Sequence, residues 1–128
     1  MGERKEAKLL KERAFHFLEL AKEAIERKMF DLAAFHIEQF CQLYLKYKLL
    51  LKIGDFPKTH SLRELLIEIG KVDKTGEVKK FLNKNLQIVK NLENAYLTSR
   101  YLPIEFDKDS VKEMLNFAKK LKRFFDKI

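Results

Sequence analysis

The segment from Leu32 to Ile53, LAAFHIEQFCQLYLKYKLLLKI, decides the fold of this chain. Its apolar residues cover most of the circumference of a helix, and neither Gly nor Pro interrupts it before Gly54. A helix that is apolar on nearly all sides is normally buried on nearly all sides. We therefore predict a helix over about 32–53 at the centre of a helical bundle, with Gly54 as its C-cap.

Several residues within this segment interrupt its apolar pattern or carry reactive groups. Cys41 is predicted to be a small buried core residue, and as the single cysteine it excludes an intrachain disulfide. His36 allows two interpretations, since it either packs in the core against a neighbour or faces a partner chain. Gln39 and Gln42 are the other polar interruptions that we note in this segment.

Apolar residues also recur with a helical period on both sides of the central segment. This periodicity predicts further helices over about 4–27, 61–70, 76–100 and 110–127. Asp31 is the predicted N-cap of the central helix, while Ser61 and Ser110 each begin a capping box with a Glu three residues later. Because no β-alternation occurs, the predicted fold is all-α: an up-and-down four-helix bundle with one additional short helix, built from residues 1–128 as a single domain.

The composition is that of a globular protein, with 46% hydrophobic and 36% charged residues among 128. No stretch is apolar for long enough to cross a bilayer, and the charged segment 1–15 does not match a signal peptide. We therefore expect a cytoplasmic protein with no membrane partner. Abundant Lys with few Gln and Cys residues points to a thermophilic source.

The net charge of +8 is concentrated in two segments. Residues 71–90 carry six Lys against Asp73 and Glu77, and residues 108–128 carry seven basic against three acidic residues. If the helices of these segments are neighbours, they form one basic face that attracts polyanions. The alternative is a surface whose lysines serve solubility alone.

Motifs for several common enzyme classes are missing from the chain. It contains no Gly-rich phosphate loop and no HExxH, CxxC or GxSxG motif. The three histidines, His16, His36 and His60, lie on different predicted elements, and no Glu-x-x-His pair suits a di-metal bundle. We therefore expect neither a metal nor a cofactor.

A second distinctive stretch, NAYLTSRYLPIEF, runs from Asn94 to Phe106 and places Tyr96, Arg100 and Tyr101 at the end of a predicted helix. Tyr96 and Arg100 have the i, i+4 spacing of residues on one helix face. One interpretation is structural, because cations are favoured at helix C-termini. The other is a phosphate-binding site, in which Arg100 holds the anion and the tyrosines stack or donate hydrogen bonds.

Three motifs together resemble the HEPN family (higher eukaryotes and prokaryotes nucleotide-binding). Residues 31–51 resemble its second-helix signature A-x-x-x-x-Q-x-x-E-x-x-L-K-A, with Gln42 in place of the Glu. The segment PKTHSLRELL resembles P-x-x-H-x-L-x-x-L-L and contains His60. NAYLTSRYLP resembles Y-x-x-A-R-Y-P, with Ser99 in place of Ala and Leu102 inserted before Pro103.

The resemblance implies a homodimeric helical bundle, commonly paired with a minimal nucleotidyltransferase in systems like toxin–antitoxin pairs. Many members are metal-independent ribonucleases with an R-x(4–6)-H motif, but Glu105, Phe106 and Asp107 occupy the three permitted His positions after Arg100. We therefore expect a nucleotide- or RNA-binding module without ribonuclease activity. Its expected ligand-binding residues are Tyr96, Arg100, Tyr101 and His60. The alternative is a divergent ribonuclease that combines Arg100 with a histidine from elsewhere in the fold, His60.

Overall fold

The structure is a computed structural model that describes the backbone of residues 2–101 and 105–128 and the side chains of residues 5–95 and 105–128. Six helices and no strands occur in these ranges, which confirms the all-α prediction. The helices are α1 (Gly2–Glu26), α2 (Phe30–Ile53), α3 (Leu62–Val72), α4 (Glu77–Lys84), α5 (Leu86–Tyr101) and α6 (Lys108–Asp126).

Helix α2 is the centre of the bundle, as its apolar circumference predicts. It contacts α1, α3, α5 and α6, and its residues Ile37, Phe40 and Leu45 are fully buried. Cys41 is also fully buried, and burial raises the pKa of its thiol. The thiol is therefore a core group with no thiolate character at neutral pH, as the sequence predicts.

The two ends of α2 differ in how well the sequence predicts them. Gly54 ends the helix in the left-handed conformation, with φ of 78°, and its N–H donates to the carbonyl of Leu50. The prediction for Asp31 is wrong, because α2 begins at Phe30 and Asp31 lies within its first turn. The Asp31 carboxylate instead accepts a hydrogen bond from the backbone N–H of Phe106, at 2.9 Å. The Asp31 side chain therefore bonds a distant part of the chain and does not cap its own helix.

The predicted long helix over 76–100 is in fact two helices separated at Asn85. The Asn85 side-chain amide donates to the carbonyl of Phe81 at 2.8 Å, and its oxygen accepts from Lys120 Nζ at 3.3 Å. Asn side chains compete with the backbone for helical hydrogen bonds. Here that competition, strengthened by a bond to α6, separates α4 from α5.

Two further predicted helix limits require correction. Helix α3 continues through Gly70 to Val72, so Gly70 does not end it. Helix α6 begins earlier than the Ser110 capping box predicts, because Asp107 is its N-cap and accepts from the Ser110 N–H at 2.7 Å. Ser61 is the N-cap of α3, since its hydroxyl accepts from the N–H of Glu64, but the Ser61 N–H donates to the Thr59 hydroxyl and not to Glu64, so only half of the predicted capping box forms.

Candidate functional site

The residues predicted to bind a ligand fall on two elements, α5 and the loop before α3. Positions 96, 100 and 101 are in the last turns of α5, but the side chains of Tyr96, Arg100 and Tyr101 lie outside the described residues. His60 lies in the loop before α3, where its side chain is exposed. The separation of the Arg100 and His60 side chains therefore also lies outside what is described.

A buried polar cluster lies directly beneath the His60 loop. Glu38 of α2 is fully buried, and its carboxylate accepts hydrogen bonds from Gln42 Nε2 at 2.5 Å and Gln39 Nε2 at 2.8 Å. Gln42 Nε2 also donates to the carbonyl oxygen of His60 at 3.0 Å. Gln42 therefore connects a core carboxylate to the backbone of the loop that carries a predicted ligand-binding residue.

The buried environment strongly perturbs the ionisation of Glu38. Desolvation by burial raises the pKa of Glu38 to about 7, although the hydrogen bonds from Gln42 and Gln39 oppose this change. The charge of Lys46 also lowers the pKa, and the charge of Glu93 raises it. A carboxyl group with a pKa near 7 exchanges its proton at physiological pH, as a general acid or base must.

Glu93 links the same region to α5. Its Oε1 accepts from Ser61 Oγ at 2.9 Å and from the backbone N–H of Arg63 at 2.8 Å. A carboxylate at this place stabilises the N-terminus of α3, where backbone N–H groups lack helical partners. Positions 93, 96 and 100 have the i, i+3, i+7 spacing of one helix face. The polar cluster therefore adjoins the face of α5 that carries the predicted ligand-binding positions.

Asp107, the acidic residue in one of the permitted His positions, has a different function. Hydrogen bonds from Ser110 lower the pKa of its carboxyl group while it caps α6. A lowered pKa makes the carboxylate a weaker base.

His36 packs between aromatic side chains. Its ring centroid lies 5.7 Å from Phe17 and 5.7 Å from Phe35. Burial lowers the pKa of His36, and its Nδ1 has no hydrogen-bond partner in the part of the chain that the structure describes. His36 is only half-buried and lies outside the buried core, so this packing does not decide between the two interpretations.

The two lysine-rich segments are neighbours in the fold. Phe81 of α4 stacks on Phe124 of α6 with ring centroids 4.4 Å apart, and Lys120 donates to Asn85 at the α4–α5 junction. Exposed cations then follow both helices on the surface that we name the α4–α6 basic surface: Lys80, Lys84, Lys112, Lys119, Lys120 and Arg123.

A cleft of about 370 Å³ opens on this basic surface. Lys120 and Arg123 lie on its α6 side together with Asn116, while Asn85 lies on the other side. Glu113 is its single acidic lining residue within the described ranges. The cleft thus offers two cations and the Asn116 amide to an anion, since the Asn85 amide already donates to Phe81.

Glu38 is the residue that the sequence reasoning missed. A carboxylate in a segment with an otherwise apolar circumference, four residues before Gln42, was the available signal. Among the described residues, no group of three His, Cys, Asp or Glu side chains is placed to hold a metal ion. None of the helices, over the residues described, is long and apolar enough to span a membrane.

The helical bundle built around α2 is the fold that the resemblance implies. The chain belongs to the HEPN family, since the HEPN domain profile matches residues 7–128. It is similar to TT1696 from Thermus thermophilus, whose crystal structure matches with a TM-score of 0.75 and 23% identity, covering 94% of this chain and 96% of that one. At this identity the likeness concerns the fold alone. No curated protein matches the chain.

Proposed function

We propose that this protein is an RNA-binding HEPN module whose α4–α6 basic surface holds the phosphate backbone. The observation that carries the proposal is the stacking of Phe81 on Phe124, which brings two segments of net charge +4 side by side. Adjacent positive segments add their fields, and they attract a polyanion more strongly than separated ones. Membership of the HEPN family supports a ligand of the nucleotide or RNA class.

The chemistry of this surface favours backbone contacts over base recognition. Five of the six cations are Lys, which supplies a compact charge, and one is Arg123, which supplies a planar fork. Phosphate contacts position a nucleic acid but carry little sequence information. With about four phosphate contacts to a single strand, affinity should fall roughly 50-fold between 50 and 200 mM salt.

The test compares two double variants that remove the same charge. Lys120→Gln with Arg123→Gln alters the cleft, whereas Lys8→Gln with Lys22→Gln alters exposed lysines of α1. Binding is measured by titration with a fluorescent single-stranded RNA. The slope of log affinity against log salt should be about 1.4 smaller for the cleft variant than for the parent, because two phosphate contacts are lost. The α1 variant should leave that slope close to the parent value. Equal effects of both pairs would show that only net charge matters and would refute the proposed surface.

The second contact in this proposal is the nucleotide patch of Arg100, Tyr96, Tyr101 and His60. Arg100 binds phosphate, the tyrosines stack on or hydrogen-bond to the nucleotide, and His60 closes the patch from the α3 side. Support comes from the Glu93–Ser61 hydrogen bond, which ties the His60 loop to α5 at 2.9 Å. No metal or cofactor takes part.

We also propose that the protein works as a homodimer with a minimal nucleotidyltransferase partner, in a system like a toxin–antitoxin pair. Exposed apolar side chains such as Leu51 and Leu32, which are 53% and 44% exposed on α2, support an association between copies. Light scattering should give the mass of a dimer at micromolar concentration. A monomer mass under those conditions would refute the homodimer.

A second candidate function is a ribonuclease that uses Arg100 with His60. The observation that favours it is the hydrogen bond from Gln42 to the His60 carbonyl, which holds the loop against the core while the imidazole stays exposed. In this mechanism Arg100 neutralises the scissile phosphate and His60 moves the 2′-OH proton. A radiolabelled RNA cleaved by the parent but not by His60→Ala would establish it. An intact substrate with both proteins would refute it and favour the binding module.

A further inference from the structure

A groove on the opposite side of α4 from α6 has features of a protein docking site. It has a volume of about 380 Å³ and runs between α3 and the consecutive helices α4 and α5. Its α3 wall is formed by positions 63, 66, 67, 70 and 71, and its other wall by positions 79, 82, 83 and 86. The α3 set follows the spacing of a single helix face and spans about two helical turns, roughly 12 Å, whereas the other wall crosses from α4 to the first residue of α5.

The floor of this groove is apolar. Leu66 and Leu82 lie deepest, at 1% and 7% exposure, while Ile67 is 40% exposed at the edge. Gly70 is part of the α3 wall and leaves space where another residue would project a side chain. A Cβ built at Gly70 meets Val78 Cγ1 at 3.8 Å, an ordinary contact. The absent side chain therefore deepens the groove without serving any backbone requirement.

The rim of the groove is cationic. Arg63, Lys71 and Lys79 line it, and no acidic side chain within the described ranges does so. Lys71 forms an exposed ion pair with Glu68 at 2.8 Å, but Arg63 and Lys79 form no ion pair with any described residue. The groove therefore presents an apolar strip between positive charges and lacks an internal group to balance them.

We propose that this groove binds an amphipathic helix from a partner protein, with apolar residues at i, i+3, i+4 and i+7 flanked by Asp and Glu. The apolar residues cover Leu66, Ile67 and Leu82, and the carboxylates face Arg63 and Lys79. Helix-in-groove recognition uses this spacing, and opposite charges at the rim set orientation and partner choice. This site is separate from the α4–α6 basic surface and does not depend on RNA binding.

Charge and shape together favour a protein helix over RNA at this groove. None of the residues lining it is aromatic, so bases would find no ring on which to stack. An RNA would also place charged phosphates against the leucines and leave that apolar surface uncovered. An acidic amphipathic helix covers the apolar floor with its apolar residues and places its carboxylates opposite the cations of the rim.

The first experiment uses synthetic helical peptides as probes for the full chain. One peptide has Leu at the stated spacing with Glu and Asp elsewhere, a second replaces the acids by Lys, and a third scrambles the acidic sequence. Amide chemical shifts should move around Ile67, Gly70 and Asn83 with the acidic amphipathic peptide only. No binding of the acidic amphipathic peptide up to about 1 mM would overturn the proposal. Equal binding of the scrambled peptide, or shifts confined to another surface, would also overturn it.

Variants then separate the apolar floor from the charged rim. Gly70→Met fills the groove and should weaken binding about tenfold or more, whereas Gly70→Ala should change it by less than about threefold. Arg63→Glu with Lys79→Glu should reverse the preference towards the Lys peptide. The matched control, Lys8→Glu with Lys22→Glu, changes the net charge equally and should retain the preference for the acidic peptide. A Gly70→Met protein that is folded by circular dichroism and binds like the parent would refute the site.

Discussion

The side-chain amide of Gln42 donates to the fully buried carboxylate of Glu38 at 2.5 Å, one turn apart on α2. The same amide nitrogen donates to the backbone of His60, so one side chain joins a titratable core group to a surface loop. A buried carboxylate costs free energy unless it is protonated or well hydrogen-bonded. In this pair the raised pKa favours protonation of Glu38, and Gln42 donates a hydrogen bond to the carboxyl group. These two features lead to the first two predictions.

The contribution of Glu38 to the stability of the protein should fall as pH rises from about 4.5 to about 7, while the lowered pKa of His36 acts in the opposite direction. Burial raises the pKa of Glu38 from 4.5 to about 7, so between these values the folded state binds more protons than the unfolded state. The stabilising contribution is therefore complete below pH 4.5 and is lost as pH rises through 7. The change attributable to Glu38 should reach about 3 kcal/mol at most. Urea unfolding at several pH values measures it.

Glu38→Gln provides the control for this pH dependence. The neutral amide retains an acceptor oxygen for Gln42 but does not titrate, so the decline in stability between pH 4.5 and 7 should become shallower. If Glu38→Gln leaves the pH dependence of the free energy of unfolding unchanged, groups other than Glu38 cause the decline.

Replacing Gln42 by Ala should destabilise the fold by about 1–3 kcal/mol, the cost of leaving buried polar groups unsatisfied. Both the Glu38 carboxylate and the His60 carbonyl lose a donor in this variant. Gln87→Ala is a matched control, because Gln87 is exposed and bonds only its helical neighbour Asn91. Denaturant midpoints should separate the two variants, and equal midpoints would contradict a structural function of the Glu38 cluster.

Two glycine substitutions should have opposite effects on stability. Gly70→Ala, inside α3 with room for a Cβ, should raise the free energy of unfolding by roughly 0.5–1 kcal/mol. Gly76→Ala should lower it by about 1–2 kcal/mol, because Gly76 has φ of 78° and L-residues are strained there. No atom lies within 4 Å of a Cβ at Gly76, so the loss would report backbone strain alone. Thermal melts of both variants provide the test, and shifts in the same direction would disagree with it.

Arg100→Lys should impair nucleotide or RNA binding nearly as much as Arg100→Ala, while both variants keep their fold. A guanidinium binds two phosphate oxygens in a planar fork, which an ammonium does not reproduce. The expected cost in binding is roughly 1–3 kcal/mol, the scale of a charge-assisted hydrogen bond. Titration with a short RNA measures affinity, and thermal melting checks the fold.

The outcome for these variants distinguishes the two interpretations of Arg100. If Arg100 only complements the C-terminus of α5, any positive charge is sufficient there. The Arg100→Lys variant should then bind RNA like the parent. An Ala variant that melts far below the parent would likewise assign Arg100 to structure.

Much of the candidate site lay beyond what sequence patterns predict. His60 and its neighbour Ser61 were found from a motif, because loop and capping residues have local signatures. The side chains of Tyr96, Arg100 and Tyr101 lie outside the described residues, so their assignment stays a prediction. Glu38 was missed because its spacing in sequence does not reveal burial. Its raised pKa depends on removal from water and on Glu93, which is 55 positions away.

The sequence by itself determined the features that depend on neighbouring residues. Helical periodicity, the apolar circumference of α2 and the glycine at position 54 predict an all-α bundle with α2 at its centre, because these preferences act within a few residues. Only the tertiary structure decided where Asn85 divides the helix, how Asp31 is used and that the two lysine-rich segments are adjacent. Those outcomes depend on Lys120, the Phe106 backbone and the packing of Phe81 on Phe124. Each is a contact between residues distant in sequence, whose energy exists only once the chain has folded.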